Sequence, residues 1–308
     1  MNIKRIITWI VMVAISVSCM GIDYYIKNRP EKENISIYTD KDSKYIVEYI
    51  AKKVKWNKTI NFSNDINAAD GILTSDISIV ESFKTKNPNI ECEKMYNTPL
   101  TVVVDYNYII TNLEDTAKFL NVENEHATIN FDIIIDAIIN DKKWSDLGVK
   151  KNNNLVSVVC PQRNTVEGKL FEKFLIVNLN KGIYPLDGNI DENIKTTIET
   201  FFSKSTVVQC DNTSERLKNV MDPKDRIYVV FENTVNSIHH ITYTYPSITI
   251  LKSYYYLYEN ALGKSFLSSL NEKEKKIFNY LVLRTKNFKG VYCSFKDLSN
   301  AIYYVDVE

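Results

Sequence analysis

The chain has 308 residues, with 38 Lys and Arg against 38 Asp and Glu, and 44% of it is hydrophobic. Length and apolar content suit two modest domains or one two-lobed body, and the balanced charge removes the global field that would point to nucleic acid. With 8 Gly and 7 Pro, the composition excludes collagen-like repeats and argues against disorder. Reading from the N-terminus, Lys4 and Arg5 precede an uncharged apolar run from Ile6 to Ile22, and Asp23, Lys27 and Arg29 follow it. A positive start and a short apolar segment fit a secretion signal or signal anchor. At about 17 residues the run is at the lower limit for a bilayer-crossing helix. Ser18 before Cys19 also matches a bacterial lipoprotein processing site, although Ser16 stands where a Leu is usual. Export of the body is therefore expected, held at the cell membrane by an uncleaved helix, the preferred reading, or by a lipidated Cys19. Lys4 and Arg5 would stay cytoplasmic and the body would lie on the extracellular side.

Residues 23–34 read as a polar linker. Ile35–Thr39 alternates as a strand; Asp40, Asp42 and Ser43 then offer caps for a helix carrying Tyr45, Ile46, Tyr49, Ile50 and Val54 at helical spacing. Gly71–Ser75 is a short strand ending in hydroxyls, and Leu100–Tyr106 is a buried-type strand after Pro99. Helices are predicted over Asn112–Leu120 and Asn130–Asn140. The run Val156–Leu175 reads as strand, polar turn, amphipathic helix. A helix over Asp191–Phe202, a strand over Ser205–Cys210, a short helix over Ser214–Met221 and a strand over Arg226–Asn233 follow. The stretches from Ile241 to Pro246 and from Ile248 to Tyr258 are β-rich. Helices are then expected over Ala261–Leu270 and Glu272–Arg284, the second with Asn271 and Glu274 at capping-box spacing. Strands alternating with helices imply an α/β body with a mainly parallel sheet.

Catalytic fingerprints are missing: there is no GxSxG, P-loop, GxGxxG or HExxH. The three histidines, His126, His239 and His240, offer little for acid–base chemistry. Cys92, Cys160, Cys210 and Cys293 are scattered, without CxxC or a metal-ligand spacing. They can be disulfide-bonded outside the cell or free and buried. Asp132 and Asp136 sit at helical spacing and read as a solvated face. Neither catalysis, nor a metal, nor a cofactor is expected.

The turn at 162–166 has binding chemistry. A helix N-terminus offers unpaired N–H groups and partial positive charge. Arg163 adds a guanidinium suited to carboxylates and oxyanions, and Thr165 adds a hydroxyl. The competing reading is an ordinary cap by Asn164, with Glu167 three residues on and Arg163 in solvent. Thr39, Lys41 and Ser43 form an opposing candidate, against which Asp40 and Asp42 weigh. Thr74 and Ser75 end a strand in the same way, and Glu232 and Asn233 end the strand before the chain returns. Tyr243 and Tyr245 alternate on one strand face and read as packing.

Several stretches taken in order resemble the type II periplasmic, or extracellular, solute-binding proteins, especially the sulfate/molybdate/phosphate-like group. They are "ISIYTDKDSKYIVEYIAKKV", "GILTS" followed by "MYNTPLTVVVDYNY", "WSDLG" before "VSVVCPQRNTVEGKLFEKFL", and "IYVVFEN" before "YTYPSITILKSYYYLY" and "GKSFLSSLNEKEKKI". Together they cover residues 35–290. The resemblance implies a two-lobed clamp, each lobe a mainly parallel sheet flanked by helices. Lobe one would comprise residues 35–105 and 240–308 and lobe two residues 106–239, with crossings near Asp105–Tyr106 and Ser237–His240. A small anionic or polar ligand would lie between the lobes, contacted by Thr39, Ser43, Thr74, Ser75, Arg163, Asn164, Thr165 and Glu232, and the lobes would close on it. The implied partners are that small molecule, an ABC transporter permease or another envelope protein, and the membrane through the N-terminus. The alternative is the same fold serving as a sensor or envelope-assembly module without transport. Two departures stand out: the Ser-Gly-Thr type of anion cradle is absent, and the first turn carries Asp40 and Asp42.

Overall fold

The computed structural model describes residues 34–40, 43–44, 46–48, 59–103, 112–114, 117–123, 126–185, 188–218, 227–231, 241–245, 248–268 and 303–305. The apolar run 6–22 with Cys19, the strand end at Glu232 and Asn233, and the helix expected over 272–284 lie outside them.

Among the described residues, twelve strands and six α-helices follow in chain order. The first half runs β1 (Asn34–Thr39), β2 (Thr59–Ser63), β3 (Gly71–Thr74), α1 (Ile77–Lys86) and β4 (Glu91–Val103). Then come β5 (Leu120–Glu123), β6 (His126–Asn130), α2 (Phe131–Ile139), β7 (Val158–Pro161), α3 (Val166–Leu179), α4 (Glu192–Ser203), β8 (Val207–Cys210), α5 (Thr213–Lys218) and β9 (Ile227–Phe231). The chain returns through β10 (Ile241–Tyr245), β11 (Ile248–Tyr258), α6 (Ala261–Ser268) and β12 (Tyr303–Val305).

One half of the sheet has the order β2-β1-β3-β11-β4. The pairs β1–β2 and β1–β3 are parallel, whereas β11 runs antiparallel to both β3 and β4. Alternation along the strands covers both faces, because successive side chains point to opposite sides. Ile35, Ile37, Leu73, Tyr254, Tyr256 and Tyr258 join Phe266 and Leu267 of α6 in one core. Ile72, Tyr255 and Leu257 join Val80 of α1 in another. The Tyr-rich β11 is therefore a central strand buried on both faces.

β4 belongs to both halves. It pairs with β11 from Glu91 to Pro99 and with β9 from Leu100 to Val103. β9 and β8 each pair parallel with β7, and β10 pairs antiparallel with β4 and parallel with β6. The largest core lies here. Val158 and Cys160 of β7 and Ile227, Val229 and Phe231 of β9 meet Phe131, Phe171, Phe174, Phe201 and Phe202 from α2, α3 and α4. The parallel pairing expected from the sequence is thus present in each half, and long antiparallel strands join the halves.

Two local expectations changed. The stretch Asn112–Leu120 is not a helix through to its end, for Leu120 already begins β5. Its backbone groups are used elsewhere: Glu114 N–H donates to Gly148 O at 2.8 Å, and Asn112 O accepts from Lys150 N–H at 2.7 Å. α1, whose apolar positions 77, 79, 80 and 83 have helical spacing, had not been singled out; Asp76 caps it.

Candidate functional site

Parallel β1 and β3 lie side by side, so their C-terminal ends emerge together at one corner, with Thr39 on one strand and Thr74 and Ser75 on the other. Asp40 occupies this corner. Its Oδ1 accepts from Ser43 N–H at 3.0 Å and from the Ser43 hydroxyl. Its Oδ2 accepts from Ser75 N–H at 2.8 Å and from the Ser75 and Thr74 hydroxyls at 3.3 Å each. Ser43 and Thr74 are fully buried, so these donors need an acceptor, and Asp40 supplies it. Next along the chain, Asp76 accepts from Ser78 N–H at 2.9 Å and from the Ser78 hydroxyl at 2.7 Å. Its carboxylate meets the positive end of α1.

The matching corner of the other half is the turn from β7 into α3. The helix is capped by Thr165, whose Oγ1 accepts from Gly168 N–H at 3.0 Å; exposed Asn164 is not the cap. A Cβ at position 168 would lie 1.8 Å from Gln162 O, so the turn closes against the helix only with glycine there. Arg163 turns along the helices. Its Nη2 lies 2.7 Å from Glu172 Oε1 and 2.8 Å from Glu199 Oε1, and its guanidinium carbon sits 4.8 Å above the Phe202 ring. Hydrogen bonds to Glu172 first, then to Glu199, push the Arg163 pKa up, and the Arg163 hydrogen bond holds the Glu199 carboxyl below its ordinary value.

Between these corners lies a cavity of about 150 Å³. Ser75, Asp76, Ile77 and Ser78 line one side, Val166, Lys169, Leu170 and Lys173 of α3 the other, and Leu251, Ser253 and Tyr255 of β11 the floor. Beside it, Lys252 is buried with 1% of its side chain exposed; its Nζ lies 2.8 Å from Glu167 Oε1 and over the rings of Phe231 and Tyr254. This pair ties α3 to β11. Burial, then the charge of Lys169 one turn away, lowers the Lys173 pKa.

Of the residues singled out from sequence, Ser75 lines the cavity, and Ser43 and Thr74 share its Asp40 acceptor. Thr39 is half-buried at the end of β1. Arg163, Asn164 and Thr165 are not among the cavity-lining residues. Sequence reasoning missed the role of Asp40, and it missed Lys169, Lys173 and Tyr255. The i, i+4 lysine pair on an amphipathic helix was the available signal.

A second, shallow groove lies between α2, α3 and α4. There burial raises the Asp132 pKa while Asn178 Nδ2 donates to its Oδ1 at 2.5 Å, and Asp136 pairs with Lys142 at 2.6 Å. Among the described residues no cluster of His, Cys, Asp and Glu is placed to hold a metal ion, and no helix is long and apolar enough to cross a membrane. Among the described residues, Cys92, Cys160 and Cys210 are thiols rather than disulfides, and burial, with the neighbouring Cys210, pushes the Cys160 thiol up.

No protein-family model and no curated protein matches the chain significantly. Solved structures do resemble it. A substrate-binding protein of an ABC transporter from Agrobacterium tumefaciens superposes with a TM-score of 0.53 at 10% identity, over 92% of this chain and 89% of its own. A protein from Clostridium perfringens, assigned as a phosphate ABC transporter substrate-binding protein and solved with bound phosphate, gives 0.51 at 14% identity, over 80% and 96%. The fold is thus the type II periplasmic-binding-protein-like fold, and the α/β architecture implied by the ordered sequence stretches is the observed one.

Proposed function

We propose that the chain is a membrane-tethered, extracellular solute-binding protein that captures a small anionic or polar molecule between two lobes, without catalysis. The observation that carries this reading is the cavity. It lies between the β3–α1 corner of one half and α3 of the other, and β11, a strand of the first half, is its floor. The lobes would be residues 35–105 with 240–308, and residues 106–239. A molecule there touches both halves, which is what makes ligand-dependent closure thermodynamically workable. Among the residues expected from sequence, Ser75 is the contact that this geometry favours. Arg163 would first have to leave Glu172 and Glu199. An ABC permease is the partner that a transport role requires.

Calorimetry and thermal-shift assays of the full chain in detergent, against oxyanions, carboxylates, amino acids and sugars, test the reading. Saturable heat and a rise in Tm with one class are expected; silence across all of them would sink it. The commitment of Arg163 to an internal ion-pair set favours a second reading, in which the fold serves as a sensor or assembly module. Recovery of an envelope protein by pull-down, unaffected by Arg163→Ala and without any ligand, would favour that one.

A further inference from the structure

Several polar groups around the cavity already have partners inside the protein. Ser75 gives its N–H and hydroxyl to Asp40, which does not itself line the cavity. The Ser78 hydroxyl donates to Asp76 Oδ1 at 2.7 Å. Lys173 Nζ lies 5.7 Å from the centre of the Tyr184 ring, which engages its ammonium. Other lining groups remain open among the described residues. Asp76 Oδ1 takes the Ser78 N–H and hydroxyl, but Oδ2 accepts no hydrogen bond. Exposed Lys169 makes no ion pair. The Tyr255 side chain is buried, with 7% of the residue exposed, and its hydroxyl makes no hydrogen bond.

Asp76 and Lys169 carry opposite charges on opposite walls, Asp76 at the start of α1 and Lys169 on α3, so they belong to different halves of the chain. They are not paired with each other. Most of the remaining wall is apolar, formed by Ile77, Val166, Leu170, Leu251 and Tyr255. A simple anion meeting Lys169 would face the Asp76 carboxylate, and a simple cation meeting Asp76 would face the lysines of α3. Like charge opposes both. A molecule that carries both charges meets both walls favourably, and by bridging the two halves it favours their closure. The volume of about 150 Å³ is below the range of about 300–1,000 Å³ usual for drug-sized ligands, so the molecule is small.

We propose that the ligand is a small zwitterion with an apolar body: its ammonium meets Asp76 Oδ2, its carboxylate meets Lys169, and its hydrocarbon rests on Ile77, Leu170, Leu251 and the Tyr255 ring. This inference rests on the solute-binding reading above and specifies its ligand class.

The test is calorimetry of the full chain in detergent with leucine, 6-aminohexanoate, hexanoate, hexylamine and inorganic phosphate. Leucine carries its two charges side by side and 6-aminohexanoate at its two ends, so the pair separates the two kinds of zwitterion. Hexanoate lacks the ammonium and hexylamine lacks the carboxylate. One of the zwitterions should bind at least about tenfold tighter than hexanoate, hexylamine or phosphate. Asp76→Asn should weaken that zwitterion by about tenfold and strengthen hexanoate, because the opposing charge is gone. Asparagine still caps a helix, so the variant should fold. Lys169→Gln, on an exposed position, is the complement: it should weaken the zwitterion by about tenfold and strengthen hexylamine. The proposal is overturned if hexanoate, hexylamine or phosphate binds as tightly as the better zwitterion, or if both variants bind the zwitterion like the wild type. In those cases a bound ligand still upholds the solute-binding reading. If neither zwitterion binds, the proposal falls by itself, and the wider panel of oxyanions, carboxylates and sugars decides the solute-binding reading.

Discussion

Arg163 shows what a single side chain can hide. Its turn and the helix after it were legible because Pro161, Thr165 and the apolar spacing of Leu170, Phe171, Phe174 and Leu175 are local signals. Its direction was not, since Glu172 and Glu199 lie 9 and 36 residues away in the chain. Arg163→Ala should cost about 1–2 kcal/mol in urea denaturation, the sum of two partly exposed ion pairs and a cation–π contact. The cost should depend on pH in a definite sense. The Glu199 carboxyl is held below its ordinary value by Arg163. Its share of stability is therefore present above the unfolded-state carboxyl pKa and is lost as the pH falls through the lower folded-state value. Glu199 is largely exposed, so solvent screening keeps this share small. The difference between wild type and variant should be largest near about pH 7 and smaller near about pH 3; an unchanged difference would show that packing on Phe202 alone carries the effect.

At the scale of elements, β11 and α3 set the site. The alternation in "ITILKSYYYLY" was readable as a strand, but a buried lysine inside it was not assignable without its partner. Lys252 meets Glu167, 85 residues earlier in the chain, in a nearly dry setting. Lys252→Met should cost about 3–5 kcal/mol by stranding the Glu167 carboxylate, and pairing it with Glu167→Leu should restore most of the loss. Guanidinium melts of the two variants check this, and equal destabilisation of both would contradict it. The β7–α3 turn is a packing constraint as much as a cap. Gly168→Ala puts a methyl group into the Gln162 carbonyl, and a loss of about 1–3 kcal/mol is expected. A thermal melt unchanged from wild type would show that the turn can give. The misread stretch near Leu113 has the opposite lesson. Its spacing suited a helix, but Gly148 and Lys150 offered its backbone better partners.

At the scale of the molecule, the ordered series of strand–turn–helix units made the architecture legible, because each unit is local. The sharing of β4 between halves was not, since it depends on which distant strands come to flank it. Nor did the sequence show that the β1 and β3 ends were filled from within: Asp40 reads as a cap until Ser75, 35 residues on, is seen to share it. The proposed N-terminal tether belongs to this scale as well. The full chain should sediment with membranes, and removal of residues 1–29 should release the body. Cys19→Ser leaves it membrane-bound if the apolar run 6–22 is the anchor, and sheds it if a lipid is; membrane fractionation with immunoblotting decides between them.

The position of β11 between β3 and β4 has a consequence in time. When β4 has been synthesised, the groups on β3 and β4 that will bond β11 have nothing to pair with, because the strand that separates them ends only at Tyr258. At roughly 5–20 residues per second, that wait is on the order of 10–30 s. For that interval the nascent chain carries open strand edges of the kind that seek other chains. A chain on its way through an export channel would be spared this exposure only by staying unfolded until nearly the whole of residues 34–258 has crossed.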